Sequence, residues 1–305
     1  LSFEDRKLVE AGMAMKEDPQ ILIVDETTTA LSQKGREVLY RIMSQMKEKE
    51  KSVIFISHDL DELKQVCDRV TVMRDGAYIT TLSGGEITVD AMRHHMIGRD
   101  FSDGYYRGDY EDNYDHDTVM LEVDHVNLGK VLKDVSLQLH KGEILGIGGL
   151  TDCGMHDLCK VIYGLVKPDS GEVRLPQKEV TIRNSTQAAK NGMGYVPKDR
   201  ELEGLMMAAS IRDNINLMSM DKVKKGFLIT SGATRKLAEE QVDMLSIKIG
   251  GLELPVSSLS GGNKQKVSIA KCMANDVQIF IMDCPTRGID IGVKAAIYRL
   301  LEQFK

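Results

Sequence analysis

Tryptophan is absent from the 305 residues, and aromatic side chains make up only 5% of them. No apolar run approaches the roughly 20 residues needed to cross a bilayer, and no signal peptide is visible. A protein of this kind that worked at a membrane would sit on it through a partner. A basic surplus is missing too: 40 Lys and Arg stand against 46 Asp and Glu, a net charge of −6. That balance argues against a binder of nucleic-acid backbone, which selects a basic surface. The five cysteines (67, 153, 159, 272 and 284) are odd in number and form no metal-type C-x-x-C pair. This is the usage of a reduced, cytosolic chain. An initiating methionine is also lacking. Leu1 opens inside a motif, so a fragment is expected, long enough for two domains with separate cores.

What is present is a repeat. LSFEDRKLVEAGMAMKEDPQILIVDETTTALS at the start returns without a gap as LSGGNKQKVSIAKCMANDVQIFIMDCPTRGID. Leu1 stands opposite Leu259 and Asp25 opposite Asp283, an offset of 258 in both cases (259 − 1; 283 − 25). Ten of the 32 positions are identical, which points to one structural unit occurring twice. The first copy keeps an Asp-Glu pair after its apolar strand and has lost the glycines. The second keeps the glycines and has Cys284 where the Glu stood.

Around the repeat, helices alternate with short apolar strands. Leu8, Ala11 and Met15 mark one face of an opening helix that Asp18-Pro19 ends. The strand Ile21 to Val24 follows, then a helix from Arg36 to Glu48, the strand Val53 to Ile56, Ser57-His58, and a helix from about Asp61. Short, continuously apolar strands between helices predict a parallel sheet covered on both faces. After Val70 to Met73 and the turn Asp75-Gly76 the pattern dissolves. Residues 100–117 are acidic, rich in Tyr and Gly and aperiodic, and read as a linker, either a solvated loop or a docking patch. From Val119 the alternation is β-like. A strand Ile144 to Ile147 is expected to run into Gly148-Gly149 and a helix from about His156.

Several of these segments carry chemistry. Gly261 and Gly262 allow close backbone approach to an anion, the helix they open offers unpaired N–H groups, and Ser260 adds a hydroxyl. Taken alone, S-G-G also suits an ordinary turn. Asp25, at the end of ILIVDE, can reach Mg²⁺ through water beside nucleotide phosphates, and Glu26 is placed to polarise an attacking water. A charged helix cap would look the same. His58 follows another buried strand, as a surface histidine also could. The fixed order of signature-like helix, strand with Asp-Glu, and strand with Ser-His favours the functional reading.

These residues carry a resemblance. LSGGNKQKVSIAKCMA with IFIMDCPTRGIDIGVKAAIYRL resembles the signature and Walker B region of an ABC ATPase. It is most similar to the second half of tandem ATPases that power bacterial carbohydrate importers of the ribose/galactose class, as are GEILGIGGL, YVPKDRELEGL and TRGID. ILIVDETTTALS, VIFISHDLDEL, VTVMRDGAYI and HHMIGRD resemble the first half. The resemblance implies an α/β chain of two P-loop NTPase (ABC ATPase) domains. Each would have a mainly parallel sheet, an antiparallel β subdomain and a helical signature subdomain. Residues 1–99 would be the C-terminal half of the first domain, 100–117 the linker, and 118–305 the second domain without its C-terminal end. It further implies ATP and Mg²⁺, two membrane-spanning permease subunits and an extracytoplasmic sugar-binding protein. The location implied is the cytoplasmic face of the cell membrane, without insertion and without nucleic acid.

The phosphate loop of such domains reads G-x-x-x-x-G-K-S/T. Here Gly149 and Gly154 match as nucleotide-binding glycines, but Asp152 replaces a glycine, Met155 the lysine and His156 the Mg²⁺-binding hydroxyl. A carboxylate at 152 would repel a triphosphate. Lys198 stands where a Gln or Glu would help organise Mg²⁺, and Cys284, after Asp283, removes the water-polarising carboxylate. Head-to-tail pairing, which the family implies, sorts these residues into two composite sites. One joins Asp25, Glu26 and His58 to Ser260, Gly261, Gly262 and Asn263; the other joins the altered residues to the glycine-less LSFED. One hydrolytic and one degenerate site are expected, with an intact phosphate loop in the part of the protein before Leu1 and no activity from the fragment alone. Random decay is a rival account. The other classes open are a ribosome-associated tandem ATPase, which would carry a long basic inter-domain segment, and a regulatory module without turnover.

Overall fold

The structure, a computed structural model, describes residues 3–74, 76–97, 114–150, 153–225, 228–289 and 291–304. The chain divides into two compact units, one built on residues 3–97 and one on residues 114–289 and 293–304.

In the first unit, α1 (Phe3–Lys16) leads to β1 (Ile21–Asp25), α2 (Gln33–Glu48), β2 (Ser52–Ile56) and α3 (Leu60–Val66). The antiparallel pair β3 (Arg69–Arg74) and β4 (Ala77–Ser83) and the helix α4 (Val89–Ile97) complete it. Gly76, at φ +80, makes the turn between β3 and β4. Strands β1 and β2 pair in parallel with Asp25 opposite Ile56, so both carboxyl ends lie at one edge. Leu22 and Val24 point into a core with Leu39, Met43 and Met46 of α2. Ser32 caps α2 by accepting from Gly35 N.

The period-2 logic of a strand then turns the intervening residues outward. Ile21 and Ile23 are 58% and 63% exposed, and Ile54 and Ile56 are 50% and 46% exposed. The expected sheet covered on both faces is therefore covered on one only, because among the described residues no helix packs on the isoleucine side.

The second unit opens with β5 (Asp115–Leu128) and β6 (Leu132–Lys141), then α5 (Met155–Ile162), β7 (Ser170–Leu175), β8 (Val180–Thr181), α6 (Ser185–Lys190) and β9 (Met193–Val196). A helical portion follows: α7 (Ile211–Asn216), α8 (Met220–Val223), the small pair β10 (Lys224–Lys225) and β11 (Leu228–Ile229), α9 (Ser231–Met244) and α10 (Gly261–Met273). Last come β12 (Ile279–Met282) and α11 (Ile291–Phe304). The antiparallel sheet has the order β6-β5-β7-β8, and β9 pairs with β12 in parallel. One core joins Leu121, Val123 and Val173 of the antiparallel sheet to Leu158 and Val161 of α5. Another joins Ile211, Ile215, Ala238, Val267 and Ile269 of the helical portion to Ile297 of α11.

Three expectations need correction. Parallel pairing is confined, among the described residues, to β1–β2 and β9–β12, less than a mainly parallel sheet. The segment 144–147 forms no strand: it has no ladder partner among the described residues, and Ile144 and Ile147 are exposed. A strand is made by its neighbours' hydrogen bonds, and apolar character alone does not supply them. The linker expected over 100–117 gives way to β5 at Asp115, and its residues 100–113 lie outside the described residues.

Candidate functional site

Parallel pairing places the ends of β1 and β2 side by side, and Glu26 N donates to Ile56 O at 2.9 Å to extend the ladder by one rung. The backbone then turns sharply, with Glu26 left-handed at φ 46. Such a conformation is unfavourable for a residue with a side chain and is held by its surroundings. The turn brings Glu26 Oε1 to 3.3 Å from His58 Nδ1. Sequence reasoning placed both residues in one site, and the structure brings them together. Asp25, at the strand end, is exposed.

Beneath them lies a group that sequence reasoning missed. Glu62 is 3% exposed, and its carboxylate accepts from Thr28 Oγ1 at 2.8 Å, from Ser57 Oγ at 2.9 Å and from the Tyr40 hydroxyl. It thereby ties the loop after β1 to the loop after β2. Burial, reinforced by the bond to Glu62, pushes the Tyr40 phenol up from its ordinary range. The visible signal in the sequence was Asp59-Leu60-Asp61-Glu62, which has capping-box spacing. Asp59 does cap α3 by accepting from Glu62 N, but the Glu62 side chain turns inward instead of closing the box.

The second unit repeats the arrangement with other residues. Asp283 N donates to Val196 O at 2.9 Å, and Cys284 is left-handed at φ 50. Asp283 is 4% exposed, and its Oδ1 lies 2.7 Å from His156 Nδ1 at the start of α5. Lys198, just after β9, lies with Nζ 2.9 Å from His156 Nε2. Donor atoms of His156, Asp283 and Cys284 all lie within 4.8 Å of one another. Three of the residues read as altered, His156, Lys198 and Cys284, thus gather around Asp283. Burial, then the adjacent Asp283 charge, pushes the Cys284 thiol up. Burial drives nearby Cys159 up to about 12.

Gly154, at φ +88, begins α5, and a side chain there would meet Val131 and Leu132. Gly149 lies against Cys153, whose Sγ would be 2.4 Å from an added Cβ. Met155 is the first residue of α5, and Asp152 lies outside the described residues.

Ser260 caps α10, with its Oγ accepting from Asn263 Nδ2 at 3.1 Å, and Asn263 Oδ1 accepts from Lys248 N. Gly261 and Gly262 form the first turn. Their lack of side chains has a packing reason as well: a Cβ on Gly262 would sit 2.7 Å from Val293 Cγ2, and one on Gly261 3.0 Å from the Arg200 guanidinium. Arg200, also missed from the sequence, donates to the carbonyls of Arg287 and Gly288 and braces the turn after β12.

Mg²⁺ prefers hard oxygen ligands and retains several waters. Exposed Asp25 beside Glu26 fits a hydrated ion of this kind. The imidazole, ammonium and thiol around Asp283 do not fit it.

No helix among the described residues is long and apolar enough to cross a membrane. Residues 132–287 match the family model described as ABC transporter. The chain is 39% identical over 304 residues to "Ribose import ATP-binding protein RbsA 2" of Rhizobium meliloti, covering 99% of this chain and 59% of that protein. It is 37% identical over 303 residues to "Putative ribose/galactose/methyl galactoside import ATP-binding protein 1" of Burkholderia lata, again covering 99% and 59%. The chain therefore spans well under two thirds of the curated relatives it matches. Among solved structures it is similar to a dimeric ATP-binding cassette in a post-hydrolysis state bound to ADP and phosphate. That likeness has a TM-score of 0.52 and 25% identity, and covers 60% of this chain and 81% of the other. The matched region encloses the glycine loop, Lys198, the α10 cap and Asp283-Cys284, and it takes in half of the sequence: the chain belongs to the ABC transporter family.

Proposed function

We propose that the chain is the larger part of an ATP-binding and ATP-hydrolysing subunit that energises import of ribose, galactose or a related sugar. The observation that carries this reading is the contact between Glu26 and His58 at the shared edge of β1 and β2. A carboxylate and an imidazole held at that distance suit orienting a water and reading the phosphate it attacks. The relatives' names supply the substrate class, since each is a sugar-import ATP-binding protein.

In this reading the chain carries parts of two ATPase domains, the first within residues 1–99 and the second from β5 onward, joined by the segment between them. Asp25 holds Mg²⁺ through water, and Glu26 orients the attacking water. His58 contacts the γ-phosphate, and Ser260, Gly261, Gly262 and Asn263 clamp it in the closed state. Mg²⁺ supplies charge neutralisation for the phosphates. Asp152, Met155, His156, Lys198, Asp283 and Cys284 make the other nucleotide site degenerate, with Gly149 and Gly154 keeping only the course of its loop. Closure on ATP and reopening after hydrolysis drive two membrane-spanning permease subunits, fed by an extracytoplasmic sugar-binding protein, from the cytoplasmic face of the membrane.

The test is phosphate release by the longer protein in vesicles with its permease subunits. Release that rises when ribose- or galactose-loaded binding protein is added is the expected result. Release indifferent to every sugar overturns the transport reading.

A further inference from the structure

The environment of Asp283 is built around a positive charge that the chain itself provides. Lys198 Nζ, 2.9 Å from His156 Nε2, can only donate, so Nε2 is the acceptor. A neutral imidazole then carries its proton on Nδ1, and that N–H donates to Asp283 Oδ1 at 2.7 Å. The result is a relay of ammonium, imidazole and carboxylate that ends on a side chain 4% exposed. Asp283 Oδ2 is buried as well, and the neighbouring Cys284 thiol lies within hydrogen-bonding reach of the carboxylate. Among the groups that act on Asp283 and its neighbour Cys284 are the Cys159 thiol and the Tyr195 phenol, both neutral at ordinary pH, and Lys198.

His156, Asp283 and Cys284 have the donor set and spacing of a transition-metal site. A metal ion there would need a free imidazole lone pair, yet one nitrogen is protonated and the other accepts from Lys198. It would also meet an ammonium at close range, where repulsion between cations is strong. Metal-bound histidine ordinarily turns its second nitrogen to an acceptor; here it faces a donor. The geometry points to Lys198, acting through His156, as the built-in replacement for a divalent cation at Asp283, masking a latent His-Asp-Cys metal site. An anionic ligand entering this half meets an ammonium in place of a metal.

The proposal rests on the reading of this half as the non-hydrolytic one, but its test contains no nucleotide, so the two can fail separately. Co²⁺ is titrated into the full chain and into Lys198→Met, with thiolate-to-cobalt absorption as the readout. Roughly tenfold or tighter binding in Lys198→Met than in the native chain is expected, lost again in Lys198→Met with Cys284→Ser. Equal affinity in the two chains, or no cobalt bound by either, overturns the proposal. A second measurement needs no variant: ¹⁵N NMR of the native chain should show His156 as the neutral Nδ1–H tautomer. An imidazolium or an Nε2–H tautomer overturns it.

Discussion

The turns after β1 and β12 are the same piece of backbone carrying different chemistry. Helices α1 and α10 begin at positions 3 and 261, and strands β1 and β12 at 21 and 279. Left-handed residues recur at Asp18 and Asp276, and again at Glu26 and Cys284, always at the repeat offset. Even the ion pairs echo one another, with Lys51 on Asp18 and Lys222 on Asp276. What differs is the partner of the strand-end acid. Asp25 is left exposed beside a Glu26–His58 contact, whereas Asp283 is buried against His156. Backbone geometry is held by the strand ladder and the apolar pattern, so the residue at the left-handed position is free to change without loss of the turn. Chemistry can decay there while the fold persists.

The comparison breaks first at turnover. In the longer protein, Glu26→Gln should lower phosphate release by roughly 10²–10⁴-fold, while Cys284→Ser leaves it nearly unchanged. Equal losses would remove the asymmetry. Next in size is the hub beneath the first turn. Glu62→Ala strips the acceptor from Thr28, Tyr40 and Ser57, and the unfolding transition of the first unit, followed in urea, should lose about 3 kcal/mol or more. An unshifted midpoint would show that the two loops are held by something else.

How far these features were legible follows from their range. The repeat, the strand ends and the Glu26–His58 pairing were readable because parallel strands align their carboxyl ends whatever lies between them. Glu62 was not, since an inward turn of a first-turn Glu depends on donors 34 and 22 positions away. The absence of a strand at 144–147 was equally hidden, because an apolar run states its preference and not its partners. Lys198 was visible only as an odd residue, and its bond to His156 is a tertiary fact.

Smaller effects sharpen the second unit. Gly262→Ala forces a Cβ to 2.7 Å from Val293, and overpacking of this kind should cost about 1–3 kcal/mol in denaturant melts. Cys159, with its thiol raised from 9.0 to about 12 in the folded chain, makes stability depend on alkali. Folding favours the protonated thiol, so its contribution is complete below about pH 9 and is lost as pH rises towards 12. Melts across that window should fall by at most about 1.4 kcal/mol per pH unit from this group, and Cys159→Ala should flatten the decline. A decline of unchanged slope would place its origin elsewhere, Cys272 being a second thiol raised to about 11.

The isoleucines on the open side of β1 and β2 have a practical consequence. Ile21, Ile23, Ile54 and Ile56 offer water a flat hydrocarbon tile, and such tiles adhere to one another. Concentrating the polypeptide is therefore expected to promote self-association through that tile, and light scattering should fall when Ile23 and Ile54 are both replaced by Thr.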